Sequence, residues 1–184
     1  RLLEKELKVL GTIHKLPRPR VYFLAGKKTI DSLAVAESVL EHNIADEVLA
    51  AGLFGNFLLY SAGFDLGASS MDILRINGIL GYLNRGKSIL ANYGDQIKLP
   101  IDVAIDSNGR HEILVSDLPA EGPIFDIGSQ TINEFSSSLE SASTTILNGP
   151  AGLAEVSHFS QGTIHVYDAA TQSDTSIVGG GDTI

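Results

Sequence analysis

The chain contains no cysteine and no tryptophan, and only one methionine and six prolines in 184 residues. Without cysteine there is no disulfide framework, no thiol nucleophile and no Cys-ligated zinc or iron–sulfur centre. Long apolar runs are missing too, so nothing approaches the roughly 20 residues that a membrane-spanning helix needs. The opening RLLEKELKVL has no basic segment followed by an apolar one, so no secretory signal is visible and a cytoplasmic address is expected. Basic residues are scarce in the second half. Residues 99–184 carry Arg110 alone against twelve acids, a net of −11, whereas residues 1–98 carry twelve Lys/Arg against ten acids, a net of +2. A surface of that sign repels nucleic-acid phosphates, and no basic stripe with interleaved aromatics offers a path for a single strand. Nor can this half clamp a small phosphorylated acid, which would need several converging Arg or Lys side chains.

What is present is globular composition, 43% apolar and 19% charged, on a chain long enough for one domain that buries about 70% of its unfolded surface. Apolar residues at 2, 3, 7 and 10 give residues 1–10 a helical stripe, which Pro17 and Pro19 follow. Residues 21–25 (VYFLA) are a short continuous apolar run, as expected of a strand buried on both faces. From Asp31 onward the spacing predicts a helix, residues 47–51 a second buried strand, 53–62 a second helix, and 69–92 a helical region in two pieces. Residues 101–105 and 111–115 read as strands around an Asn108-Gly109 turn, a hairpin extension. Then come a strand at 123–127, a helix at 129–139, a strand at 144–147, a helix at 156–170 and a strand at 175–178. This alternation predicts an α/β fold: a Rossmann-like, open, mostly parallel sheet with helices on both faces. The chain ends GGGDTI just where a helix with an Asp or Thr cap should begin, so a piece of a longer protein is expected.

In an open parallel sheet, ligands bind beyond the carboxyl ends of the strands. Three glycine-containing loops follow strands: residues 25–28 (AGKK), 148–152 (NGPAG) and 179–183 (GGGDT). Glycine lets backbone N–H groups approach phosphate, and a helix N-terminus behind adds a favourable dipole. Lys28 supplies a point charge for a phosphoryl oxygen and Asp182 a hard oxygen for Mg²⁺. A rival is spelled by Gly81–Ser88 (GYLNRGKS), which matches the P-loop pattern. That pattern needs a buried strand before it. Residues 71–80 instead have helical apolar spacing, and the apolar positions after Gly81 continue a helical face, so Gly86-Lys87 is expected on an exposed helical turn. His158 and His165 lie seven apart with no zinc pair at i,i+4, and neither a G-x-S-x-G elbow nor a G-x-G-x-x-G fingerprint occurs.

Taken together, residues 2–7 (LLEKEL), 23–33 (FLAGKKTIDSL), 64–67 (FDLG), 100–106 (PIDVAID), Asp126-Ile127-Gly128, 148–155 (NGPAGLAE) and 178–183 (VGGGDT) resemble, in order and spacing, the C-terminal nucleotide-binding domain of phosphoglycerate kinase. Asp31-Ser32-Leu33 is similar to the archaeal version of its lysine loop. The resemblance covers essentially the whole chain. It implies a two-domain hinge-bending kinase that exchanges phosphate between ATP and 3-phosphoglycerate in glycolysis and gluconeogenesis. Residues 1–184 would be the nucleotide domain, apparently truncated at both ends, with residues 1–13 starting the interdomain helix and the substrate domain preceding Arg1. That domain would bring the arginines this chain lacks. The resemblance puts ATP or ADP phosphates and Mg²⁺ at Gly180, Gly181, Asp182 and Thr183, with Asp182 on the metal. Lys28 would contact the transferring phosphate, and Glu155 the ribose hydroxyls. Gly26, Gly52, Asn148, Pro150, Gly152 and Leu153 would complete the adenine and ribose pocket. A monomer with no membrane contact is implied, inactive without its other domain. Three positions depart from the common pattern: Ser32 replaces a second lysine, Ala51 shortens a glycine run and is expected to crowd the purine, and Ala154 replaces an aromatic. A P-loop switch built on Gly81–Ser88, or a non-catalytic module that keeps the fold, are the alternatives.

Overall fold

The structure, a computed structural model, describes residues 15–179. The helix expected at residues 1–10 and the phosphate loop expected at Gly180, Gly181, Asp182 and Thr183 lie outside the described residues. The elements in chain order are β1 (Arg20–Leu24), α1 (Thr29–Glu41), β2 (Glu47–Ala50), α2 (Gly52–Ser61), α3 (Ala68–Ile76), α4 (Leu83–Tyr93), β3 (Ile97–Lys98), β4 (Asp102–Asp106), β5 (Arg110–Leu114), β6 (Ile124–Ile127), α5 (Ser129–Glu140), β7 (Thr144–Asn148), α6 (Gln161–Ala170) and β8 (Thr175–Gly179). Among the described residues no helix is long and apolar enough to cross a membrane.

Five strands form a parallel sheet in the order β3-β2-β1-β7-β8. β1 shows why a continuous apolar strand suits that sheet. Tyr22 and Leu24 point into a core shared with Leu33, Ala36, Phe54, Phe57 and Leu58 of α1 and α2, while Val21 and Phe23 point into a core shared with Phe135, Leu139 and Val166 of α5 and α6. Side chains alternate faces along a strand, so a strand covered on both sides must be apolar at every position. Phe23 meets Phe135 and Tyr167 edge to face, with centroids 6.4 Å apart in each pair. From β1 the chain runs to β2 on one side; from β7 it runs to β8 on the other. The order therefore reverses between β1 and β7, which makes their carboxyl ends the expected place for a ligand.

The hairpin expected around Asn108-Gly109 forms, with left-handed φ at both residues (58° and 121°) and the Gly109 N–H donated to Asp106. It is larger than a hairpin, because β6 pairs antiparallel with β4 and makes a three-stranded sheet β5-β4-β6. β4 also sets the start of α5: the buried Asp102 carboxylate accepts N–H bonds from Gln130 (2.9 Å) and Thr131 (2.7 Å) and a hydroxyl bond from Thr131 (2.6 Å). Glu112 of β5 accepts the Ser129 N–H at 3.0 Å. Two carboxylates thus take up orphan donors at one helix N-terminus.

Two sequence expectations change. The helix expected over 156–170 begins only at Gln161, after a 3₁₀ turn at Ser157–Phe159. Its start is fixed by the buried Asp126 carboxylate, which accepts the Gly162 N–H at 3.0 Å. The two-residue β3, too short to show a period in sequence, adds an edge to the parallel sheet beside β2.

Candidate functional site

At the carboxyl ends of β1, β2 and β7 lies a cavity of about 940 Å³, near the top of the range for small-molecule sites. Its floor is backbone. Ala25 N–H donates to Asn148 O at 2.8 Å, Gly26 N–H to Pro150 O at 3.1 Å and Ala51 N–H to Leu24 O at 3.1 Å. Gly26, Gly52 and Gly149 all have left-handed φ, 81°, 57° and 84°. A Cβ on Gly149 would lie 2.6 Å from Ala25 O, and one on Gly52 would lie 2.8 Å from Gly26 N. The three loops therefore touch backbone to backbone, and only glycine fits that contact. Gly26, in a loop expected to offer N–H groups to phosphate and itself expected in the adenine and ribose pocket, spends its own N–H on Pro150 O.

Residues 25–28 and 148–155 line the cavity side by side, and its apolar lining includes Leu53, Ile73, Pro100, Ile124, Phe125 and Leu153. Charge collects at the rim, where Lys27, Lys28, Asp31 and Glu155 are exposed. Lys27 Nζ stands 3.8 Å from Glu155 Oε1, an ion pair that joins the β1 loop to the β7 loop at the surface. Both groups are some 70% exposed, so water screens the pair and it holds the loops only weakly. The N-termini of α1 and α2 follow the β1 and β2 loops, and neither has a side-chain cap. Their dipoles favour an anion above the strand ends.

The structure brings together Gly26, Lys28, Gly52, Asn148, Pro150, Gly152, Leu153 and Glu155 around this one cavity. Ala154 also lies on the lining. Ser32 is fully buried, its hydroxyl 3.5 Å from Ala25 O, and contributes to the core under the loop. Ala51 does not crowd the cavity. Its extended backbone turns its methyl into the core with Ile127 and Ala151.

Sequence reasoning missed the far wall. Ile73 lies on α3, Pro100 in the connection before β4 and Phe125 on β6, and only the packing of the small sheet against α2 and α3 brings them to the same cavity as the loops. It also missed Asn56, buried on α2. Its Nδ2 donates to Ile124 O over a long 3.4 Å, and its Oδ1 has no partner among the described residues. A lone polar residue in an otherwise apolar helix was the available signal. Asp126 is the other omission. Burial pushes its carboxyl up, against the Gly162 N–H bond and the Arg110 guanidinium, which favour the charged form.

The rival motif is no phosphate loop. Leu83–Tyr93 is one helix, and Gly86 is buried where a Cβ would lie 2.2 Å from Ser61 Oγ and 2.8 Å from the Phe57 ring. Gly86 is thus a helix-crossing contact rather than an exposed turn, while Lys87 faces solvent as expected. His42, His111, His158 and His165 are exposed, and among the described residues no group of three His, Cys, Asp or Glu could hold a metal.

The profile of the phosphoglycerate kinase family matches residues 1–184. The chain is 45% identical over 185 residues to the phosphoglycerate kinase of Natronomonas pharaonis and 42% over 190 residues to that of Thermococcus sibiricus, covering all of this chain and 46% of each relative. The crystal structure of phosphoglycerate kinase from Pyrococcus horikoshii OT3 superposes with a TM-score of 0.92 at 34% identity, over all of this chain and 47% of that one. The chain thus spans about half the length of the relatives it matches, and these three are archaeal. Matched over its full length by sequence and by fold, the chain belongs to the phosphoglycerate kinase family.

Proposed function

We propose that this chain is the nucleotide-binding half of a phosphoglycerate kinase, a phosphotransferase that exchanges phosphate between ATP and 3-phosphoglycerate. The observation that carries the proposal is the cavity at the β1/β7 switch point, lined both by apolar side chains and by Lys28 at an uncapped helix N-terminus. A purine fits against Leu53, Ile73, Pro100 and Phe125. Phosphates fit the α1 N-terminus and Lys28, and the ribose hydroxyls fit the Glu155 carboxylate. The donor set also suits Mg²⁺: this cation is held by one or two carboxylates plus phosphate oxygens rather than by a protein cage. Asp182 would supply the carboxylate. When bound, Mg²⁺ neutralises charge on the phosphates.

The chain's own work is to position. Lys28 holds the phosphoryl group, and the rigid glycine contacts keep its loop against the Pro150 loop. Charge stabilisation of the transferring group is completed by the glycine-rich segment Gly180, Gly181 and Thr183 after β8. The acidic second half cannot hold 3-phosphoglycerate, so the acid is expected on a basic domain elsewhere in a longer, cytoplasmic and monomeric protein.

Calorimetric titration with MgADP tests this. Lys28→Ala is expected to weaken binding about tenfold or more, the loss of one charge-assisted contact. Lys87→Ala is expected to leave it within error, and Asp182→Asn to flatten the Mg²⁺ dependence. Loss with Lys87→Ala and silence with Lys28→Ala would overturn the assignment.

A further inference from the structure

Arg110 is the one basic residue after position 98, and it is not at the surface. Its side chain is only 10% exposed and every nitrogen is engaged. Nη1 donates to Asp126 Oδ2 at 2.9 Å and to His158 O at 3.1 Å. Nη2 donates to Ile127 O at 2.9 Å and to Glu112 at 2.8 Å, and Nε donates to Glu112 at 3.1 Å. The guanidinium therefore ties β5 to β6 and to the 3₁₀ turn that follows the 148–155 loop.

Asp126 passes that grip to the cavity, which it lines. The loop lies directly on it: a Cβ on Gly152 would sit 2.6 Å from the Asp126 carboxylate and 2.5 Å from Phe125 O. Leu153 N–H donates to Phe125 O at 2.9 Å, and Gly162 N–H, at the start of α6, donates to Asp126 at 3.0 Å. Phe125 closes the same joint from the other side, edge to face with Phe159 at 5.4 Å. The loop that carries Pro150, Leu153 and Glu155 thus packs directly on a buried carboxylate at Gly152, and that carboxylate is charge-balanced by Arg110 of the small sheet. A carboxylate stripped of its partner in such a place must protonate, or move toward water, which would disturb the Gly152 packing and the Gly162 bond that rest on it.

Resting on the nucleotide reading above, we propose that Arg110 is a positioning residue for the nucleotide site, acting through Asp126 to fix residues 149–155 in their binding shape. It touches no ligand itself. Its removal should cost affinity even in molecules that remain folded, and neutralising Asp126 should recover that affinity.

The experiment is calorimetric titration of the full chain with MgADP, alongside its thermal midpoint without nucleotide. Arg110→Met is expected to weaken MgADP binding about tenfold, as a buried charge is left unpaired, and Arg110→Met/Asp126→Asn to recover most of it. A lowered midpoint with affinity unchanged would make Arg110 merely structural and overturn the proposal, as would a double variant no tighter than the single one. Should Arg110→Met not fold, Arg110→Lys decides, because a point charge cannot make five directed bonds. It is expected to weaken binding and to speed amide exchange at Leu153 and Gly162 while sparing β1. Equal affinity and equal exchange would overturn the proposal. If the unsubstituted chain binds no MgADP, the nucleotide reading itself fails, a result distinct from all of these.

Discussion

At the scale of the residue, the site is built from absences. Gly149, Gly52 and Gly26 sit where a Cβ would meet another loop's backbone, and all three also have left-handed φ. Gly149→Ala is expected to destabilise the chain by about 1–3 kcal/mol through strain and the clash with Ala25 O. Gly81→Ala, where a Cβ meets nothing within 4 Å, should stay within about 0.5 kcal/mol. Urea unfolding of both variants checks the contrast, and equal losses would mean that loop contact is not what these glycines serve. Gly26 and Gly149 could be picked out from the sequence because their loops follow apolar strands, whereas Gly52 was pointed to only by the family resemblance. What was not legible was their purpose, since the letters of one loop do not say which other loop it touches. Lys28 could be placed at the site for the same reason that Lys87 could be excluded: one follows a buried strand, the other continues a helical face.

At the scale of the element, α5 shows how the small sheet organises its surroundings. Asp102 satisfies two backbone donors of its first turn, and Asp102→Ala is expected to cost about 2–3 kcal/mol, since these are hydrogen bonds to a buried carboxylate. Faster amide exchange at Gln130 and Thr131 with exchange in β1 unchanged would locate the loss. Glu112, beside it, gives the cap a pH dependence. Burial raises its pKa, but the Ser129 and Arg110 interactions outweigh burial and hold it below the usual carboxylate range. A depressed folded pKa means that its contribution is complete above the unfolded value and is lost as pH falls through the folded one. Asp126 runs the other way: with its folded pKa raised by burial, the folded state favours the protonated acid, and stability is lost as pH rises through the window between the two values. Glu112→Gln should therefore remove part of the loss of stability as pH falls below the ordinary carboxylate range, and Asp126→Asn part of the loss as pH rises above it, both measured as unfolding midpoints across a pH series that spans that range. Every helix and strand named here except the two-residue β3 was visible as a periodic or apolar segment. The start of α6 was not, because it depends on Asp126, some 35 positions earlier, and no local pattern encodes that partner.

At the scale of the whole molecule, the uneven charge of the chain is resolved by Arg110 turning inward. The acidic half thus has no surface arginine among its described residues. The isolated chain is expected to bind MgADP and yet show no turnover with 3-phosphoglycerate in a coupled assay; measurable turnover would remove the need for a separate basic domain. The architecture was legible because both cores leave their mark on the central strands β1 and β2, whose alternating faces must all be apolar. The far wall of the cavity was not, because it arises only when the antiparallel sheet docks on α2 and α3. The central pairing has one more effect. β1 and β7 lie side by side, with Arg20 opposite Thr144, although more than a hundred residues separate them along the chain. Closing so long a loop is slow and comes late, so the cavity between these strands cannot exist in an early, half-formed chain. A ligand held there can recognise only the finished fold. It should slow unfolding while leaving the rate of folding untouched, so that nucleotide acts on the lifetime of the native molecule and not on its birth.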